Sequence, residues 1–519
     1  MTANRRIALN IVVTYGRSLF ALAVGLLCGR WTFLALGKVD YGLLGVVGGM
    51  VSFLAFLNSL MAGAISRFYA YSVGAAQKQG NDVAGMEECR RWFSIAVFTH
   101  TFLPTLLAVI GEPIGEWAIC NYLVVPDNRV AACVCAWRFT VFSCFVGMVN
   151  VPFSAMYTAK QEIAERTLYD FLTTFFHAFV GYYMITHPGL WLAKYVAWSC
   201  IIAVVPKVII CIRAIVKYPE CRFCFAYVWD AERFKKLINY AGSRFCMSLS
   251  RLLASNGMSV MVNKCLGPIR NSAVTVGNNV AGHCLTLSYS FAEAFSPAIT
   301  NAAGAGDMIR LRKLAFATCS LSGVAVGVFA IPMILEVDEV MKLWLKTPPE
   351  WAGALCICTL VYSMLNGVVE GHWMSVLAIG KVVAYNIAES LCWFLALPIA
   401  YVFFLGGLDV VGVGLAWIGV VFLSCLVKIY FGRKIAGLSI RYWFGHVFVP
   451  FLIVFAASLV AGLAPRLLLD PSLFRIIVTG IAVEFALLPL SWRFVFQEPE
   501  RAYCKEKFFR IVDKFRAKA

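Results

Sequence analysis

From residue 9 to residue 496 the chain returns again and again to apolar runs of twenty residues or more, separated by short polar breaks. A helix needs roughly 20 apolar residues to cross the hydrocarbon core of a bilayer, so each run is a candidate crossing. Composition agrees: 61% of the 519 residues are hydrophobic and 14% are charged, where a soluble domain has about a quarter charged. The chain reads as an all-α polytopic membrane protein.

Counting at about 20 residues per crossing gives fourteen transmembrane helices, at 9–36, 41–70, 92–111, 131–157, 167–186, 191–215, 237–266, 271–300, 313–335, 352–379, 382–405, 411–431, 447–468 and 472–496. Gly37, Pro113, His187-Pro188-Gly189, Pro348-Pro349 and Gly406-Gly407 mark turns between them. No connection is large enough to be a soluble domain, which argues against nucleic acid as a partner. The start, MTANRR, runs straight into an apolar span without a short signal-like core, so the first helix is expected to stay as an anchor.

An even number of crossings puts both termini on one side. On that side fall most of the cations, among them Arg5, Arg6, Arg90, Arg91, Lys313, Lys381, Lys428, Arg433 and Lys434, and on the other only about eight, such as Lys38, Arg129 and Lys264. The positive-inside rule then makes both termini cytoplasmic, and the formal net charge of +17 is mainly a topology signal. After Pro499 the residues Phe508, Ile511, Val512 and Phe515 share one helical face among lysines and arginines. That tail is expected to lie on anionic lipid.

The cysteines mostly sit in apolar runs, where a thiol is a small hydrophobe. Cys221-Arg-Phe-Cys224 has metal-ligand spacing, but no second pair completes a zinc site. No metal and no cofactor are expected.

The two halves echo each other. Leu36-Gly37 and Leu266-Gly267 each end an odd-numbered span, and Ser66 and Ser296 each close the next, at one offset of 230 residues without a gap. Such a repeat is a common way to build a transporter. It predicts two six-helix bundles, residues 1–216 and 217–440, then an extra helix pair at 441–496 and the basic amphipathic tail at 497–519.

Polar residues inside the spans fall on stripes. Arg244, Ser248, Arg251, Ser255, Ser259 and Asn263 recur at helical spacing in the seventh span; Thr275, Asn279, Gly282, Thr286, Ser290 and Glu293 do so in the eighth. The tenth aligns Tyr362, Asn366 and Glu370. Lipid does not satisfy such faces, so they must meet protein or a water-filled cavity. Hydroxyls alone are explained by helix pairing. Arg251, near the middle of its span, is too deep to reach an interface easily.

Arginine keeps its charge when desolvated and presents a fork of donors suited to phosphate. Arg244 and Arg251 lie about 10 Å apart along one face, which suits a diphosphate. No Gly-rich phosphate loop supplies ATP energy, so coupling to H+ or Na+ is expected, with Asp170, Glu293, Glu370 and Glu389 as candidate coupling residues. Arg30, Arg138, Arg475 and Glu484 read as helix-pairing or interface residues.

The runs LALGKVDYGLLGVVGGMVSFLAFLNSLMAGAISRF (34–68), YPECRFCFAYVWDAERFKKLINYAG (218–242), LGPIRNSA (266–273) and AFSPAITNAAGAGD (294–307) resemble the polysaccharide-export flippases of bacterial cell-envelope biosynthesis, such as O-antigen flippases. These belong to the superfamily that includes the multidrug and toxic-compound extrusion antiporters and the lipid II flippase. The resemblance, over residues 5 to 440, implies a V-shaped, MATE-like pair of six-helix bundles. By alternating access it would move an undecaprenyl-pyrophosphate-linked oligosaccharide across the inner membrane, for polysaccharide or lipopolysaccharide assembly. It also implies membrane lipids and polysaccharide-assembly proteins as partners. The positions matching the family's cationic cavity are Arg17, Arg67, Arg244 and Arg251, with Ser248, Ser255, Asn279, Thr286 and Asn366 as polar lining. The last helix pair resembles the one that forms a lipid-tail groove in the lipid II flippase.

An ion-coupled drug antiporter is the nearest rival; it would favour acidic and aromatic residues where this chain has deep arginines. A polysaccharide polymerase or glycosyltransferase would need a sizeable extracytoplasmic loop, and the one around Gly111 to Arg129 is short. A channel would leave the paired polar stripes without a role.

Overall fold

The computed structural model describes residues 24, 25, 27–56, 65, 68, 69, 72, 82–160, 162–496 and 501. The described chain is helical: α1 (Leu27–Phe56), α2 (Asp82–Trp117), α3 (Val130–Val149), α4 (Val151–Ala159), α5 (Ile163–Thr186), α6 (Leu192–Lys217), α7 (Ala231–Leu252), α8 (Met258–Gly304), α9 (Met308–Leu335), α10 (Val337–Leu345), α11 (Ala352–Gly367), α12 (Glu370–Ile379), α13 (Val383–Phe394), α14 (Ala396–Leu405), α15 (Val411–Ala436), α16 (Ile440–Trp443), α17 (Val449–Leu468) and α18 (Leu473–Leu490). Each of the fourteen expected crossings carries helix. Among the described residues nine helices are long and apolar enough to span a membrane, ten when the bent pair α11 and α12 counts as one. The basic tail lies outside the described residues.

Local chemistry sets many boundaries. Asp230, Asp307 and Ser472 cap α7, α9 and α18 by accepting from the backbone N–H three residues on, at 3.0, 2.9 and 3.2 Å. The capping bond from Arg233, first among several, holds the Asp230 carboxyl below the usual range. Gly380 and Gly437, at φ +82° and +67°, end α12 and α15 in left-handed caps.

The chain divides into two compact units, Met1–Thr275 and Val276–Ala519. This line falls inside α8, because α7 and the start of α8 pack on α1. Gly37 and Gly267, 230 residues apart, both take positive φ, +74° and +85°, and kink their helices. Beyond the kinks equivalent residues of the repeat meet: a side chain at Gly42 would overlap the Pro268 carbonyl and press on the Ser272 amide, and one at Gly45 would strike Thr275. Ser272 and Thr275 stand 230 residues after Gly42 and Gly45, so a local two-fold relation passes between α1 and α8. Asn271 secures it, donating to the Gly42 carbonyl at 2.9 Å.

In the first unit α3 packs against α2 and α6, and α5 against α6. The connection 218–230 is tied down beneath them. Lys160 meets Glu220 at 2.5 Å, Arg233 bridges Glu88 and Asp230, and Arg90 donates to the Arg222 carbonyl at 3.0 Å. Cys221 is buried there beside Tyr218 and Cys89, and burial, followed by the Glu220 charge, pushes its thiol up.

In the second unit α9 and α15 are central: α9 touches α11, α12, α17 and α18, while α15 touches α11 through α14. Glycines let the helices approach; a side chain at Gly371 would overlap the Ala315 carbonyl. The last pair, α17 and α18, is pinned by a buried ion pair. Arg475 donates twice to Glu336, at 2.8 and 3.2 Å, and Thr479 donates to its other oxygen at 2.9 Å. This is the pairing role expected for Arg475, and Arg138 pairs likewise with Glu112 and Glu116.

Two stability tests follow from these contacts. Gly42→Ala should cost about 1–3 kcal/mol by overpacking against backbone that has nowhere to move, read as a lower thermal midpoint of the purified protein. Arg475→Met should cost about 3–5 kcal/mol by stranding a buried carboxylate, and Glu336→Gln added to it should recover much of that.

Candidate functional site

The cationic face expected on α7 is the first place to look. Arg251 is half-buried in the last turn of α7, with Ser248 half-buried one turn before it. Immediately afterwards the helix widens into a π turn, Leu253–Gly257. One residue of added winding rotates everything beyond by roughly 100°, so the sequence stripe is not one continuous face. Ser255 lies in the π turn and donates to the Arg251 carbonyl at 3.0 Å. Past it, Ser259 donates to Asn271 at 2.7 Å, and the Asn263 amide pairs with both backbone groups of Val124. That lower half of the stripe joins helices together, and the upper half with Arg251 is left as the functional candidate.

The other cavity candidates are placed less fully. Arg17 and Arg67 lie outside the described residues. Arg244, Thr286 and Glu293 lie on the described helices α7 and α8, with side chains outside the description. Asn279 is exposed on α8, and Asp170 is half-buried on α5.

The structure does bring three sequence candidates together in the second unit. α11 stops at Gly367 and α12 starts at Glu370, their axes bent by 48°. Asn366 and Glu370 flank this break, both buried, and the Asn366 amide donates to Glu370 Oε2 at 3.2 Å. Lys428 of α15, 2% exposed, donates from Nζ to Asn366 Oδ1 at 2.5 Å and sits 4.0 Å from Glu370 Oε2. One turn earlier on α15, Ser424 donates to Glu389 Oε1 at 2.7 Å, which also accepts from the Trp393 indole at 3.1 Å. Cys425 stands between, within electrostatic reach of Glu370, Glu389 and Lys428.

Lys428 corrects the sequence reading, which counted it among the cytoplasmic flanking cations. Eight residues before the end of α15, and with nearly all its surface covered, it is an interior cation. The signal was available: Ser424 and Lys428 share a face at i, i+4, inside an apolar run.

An apolar pocket of about 760 Å³ adjoins the break, lined by Val369, Phe422, Leu426, Trp443 and Phe448, with Arg433 and Lys434 also at its wall. The Trp443 indole donates to the Val368 carbonyl at 2.8 Å, so the start of the last helix pair is bonded to the break itself.

Interior charges joined across a broken helix recur in membrane transporters. A solved structure of the lipid II flippase MurJ, in an inward closed conformation, superposes with TM-score 0.68 over 94% of this chain and 98% of its own, at 11% identity. An inward-facing multidrug-resistance MATE transporter of the MOP superfamily gives TM-score 0.61 over 81% of this chain and 94% of its own, at 16% identity, and an outward-facing MATE structure gives 0.57 over 82% and 95%, at 15%. The chain thus has the multi-pass fold shared by MurJ and the MATE transporters. No family model matches the chain, and no curated protein matches it by sequence.

Asn366→Ala removes at once the acceptor of Lys428 and a donor to Glu370. The expected cost is about 1–3 kcal/mol, seen as a lower thermal midpoint of the purified protein.

Proposed function

We propose that this chain is a flippase of a bacterial inner membrane. Its substrate is an undecaprenyl-pyrophosphate-type lipid-linked oligosaccharide, O-antigen-like, destined for surface polysaccharide or lipopolysaccharide, and it works by alternating access. The observation that carries this reading is Arg251: a permanent cation in the last turn of α7, half-buried next to a π turn, on a fold that matches the lipid II flippase over 94% of the chain. π turns inside helices are frequent at functional sites, and a guanidinium held there suits a pyrophosphate.

In this reading Arg17, Arg67, Arg244 and Arg251 grip the pyrophosphate, and Ser248, Ser255, Asn279, Thr286 and Asn366 line the path. Residues 1–216 and 217–440 form the two six-helix bundles, 441–496 the added pair and 497–519 a cytoplasmic tail, with both termini inside. The pocket beside Trp443 and Phe448 is wide and apolar enough for part of a polyisoprenoid chain, with Arg433 and Lys434 near for anionic groups. Polysaccharide-assembly proteins are the natural protein partners.

The second reading, an ion-coupled multidrug antiporter, draws on the buried carboxylates Glu370 and Glu389 and on the MATE structures. Those structures cover less of the chain, 81% against 94%.

Arg251→Ala in the native host separates the two. The flippase reading expects loss of surface polysaccharide by about tenfold or more, the scale of one lost charged hydrogen bond, with lipid-linked precursor accumulating on the inner leaflet and Arg251→Lys intermediate. Normal export by a stably inserted Arg251→Ala protein rejects it, and loss of drug efflux with intact polysaccharide favours the antiporter.

A further inference from the structure

A broken helix in a membrane protein supplies the parts of an inorganic-cation site: oxygens freed at the break, and a half-helix C-terminus whose dipole favours positive charge. The break between α11 and α12 adds the amide oxygen of Asn366 and the carboxylate of Glu370, both buried. Hard oxygen donors of this kind suit Na+ or another small metal cation. In this chain something else already stands there.

We propose that Lys428 is a tethered cation, its ammonium filling the place between Asn366 and Glu370 that an inorganic ion would take, so that this site excludes Na+ and does not draw on a Na+ gradient. Three observations carry this. The ammonium is 2.5 Å from Asn366 Oδ1, at the distance of a coordinated cation, and 4.0 Å from Glu370 Oε2, within ion-pair range, so it occupies the space beside both oxygens. Two carbonyls around the break are engaged from the side, that of Leu365 by the Cys425 thiol at 3.4 Å and that of Val368 by the Trp443 indole at 2.8 Å. The second carboxylate, Glu389, accepts from Ser424 and Trp393 on its Oε1.

Lysine is a compact point charge on a flexible stem, which lets α15 deliver it to the end of α11 as a coordinating ion would be delivered from solvent. The difference is kinetic: a tethered ammonium does not leave. A site filled this way gives the negative end of α11 and the Glu370 carboxylate a permanent counter-charge, without depending on the ionic composition of the medium. The exclusion of Na+ rests on these contacts alone. The consequence for coupling rests also on the transporter reading, and the two are tested separately.

The full-length protein is purified and its thermal midpoint compared in NaCl and choline chloride at equal ionic strength. The wild type is expected to give the same midpoint in both. Lys428→Met leaves a buried carboxylate without its counter-charge; its midpoint should fall in choline and be partly restored by Na+, and K428M/E370Q should lose that Na+ response. A Na+-specific rise in the wild type that E370Q abolishes overturns the proposal, as does a folded K428M protein with no response to Na+. Should K428M not fold in either salt, the wild type and E370Q decide by themselves. In vesicles, lipid-linked substrate should be flipped equally with and without a Na+ gradient. Flipping that follows the Na+ gradient and is lost in E370Q overturns the proposal too, and absence of any flipping alongside the expected salt results rejects the flippase reading and leaves the ion exclusion standing.

Discussion

Hydrocarbon offers no hydrogen bonds, so every carbonyl and charge placed within it has to be answered by the protein. That demand explains the second unit better than any list of its helices. Breaking the span at Gly367 to Glu370 frees backbone groups, and the chain answers with Cys425 and Trp443, while a lysine from α15 answers the Asn366 side chain. The Arg475, Glu336 and Thr479 cluster obeys the same rule where the last helix pair meets α9. Close glycine contacts such as Gly371 on Ala315 then bring the partners within reach.

The architecture was largely legible because membrane helices announce themselves by length and apolarity. The repeat was legible too, from Gly37 and Gly267, because only glycine takes those backbone angles without strain. The site was read less well, and for definite reasons. A helical wheel presumes a constant 3.6 residues per turn, and the π turn at Leu253–Gly257 breaks that presumption in the middle of the stripe. Charge counting treats a lysine near a helix end as a topology marker, and Lys428 shows that three-dimensional burial decides instead. Asn366 and Glu370 were chosen from periodicity and do meet at i, i+4, but the bend between them, which no period encodes, was not foreseen.

The two places of interest carry charge in different ways. Around Arg251 a fixed cation is half-buried on a helix whose winding changes beside it. Around Lys428 the cation is enclosed and matched by groups on two other helices, an arrangement fit for permanence. Arginine and lysine are thus not interchangeable parts of one basic surface.

The bond from Trp443 to the Val368 carbonyl gives the C-terminal helix pair a second meaning. A chain cut before residue 440 would lose more than a lipid-facing flank, because it would strip the splint from a fractured helix and leave a carbonyl bare in a dry interior. The final helices are therefore joined, through Trp443, to the broken helix they lie against.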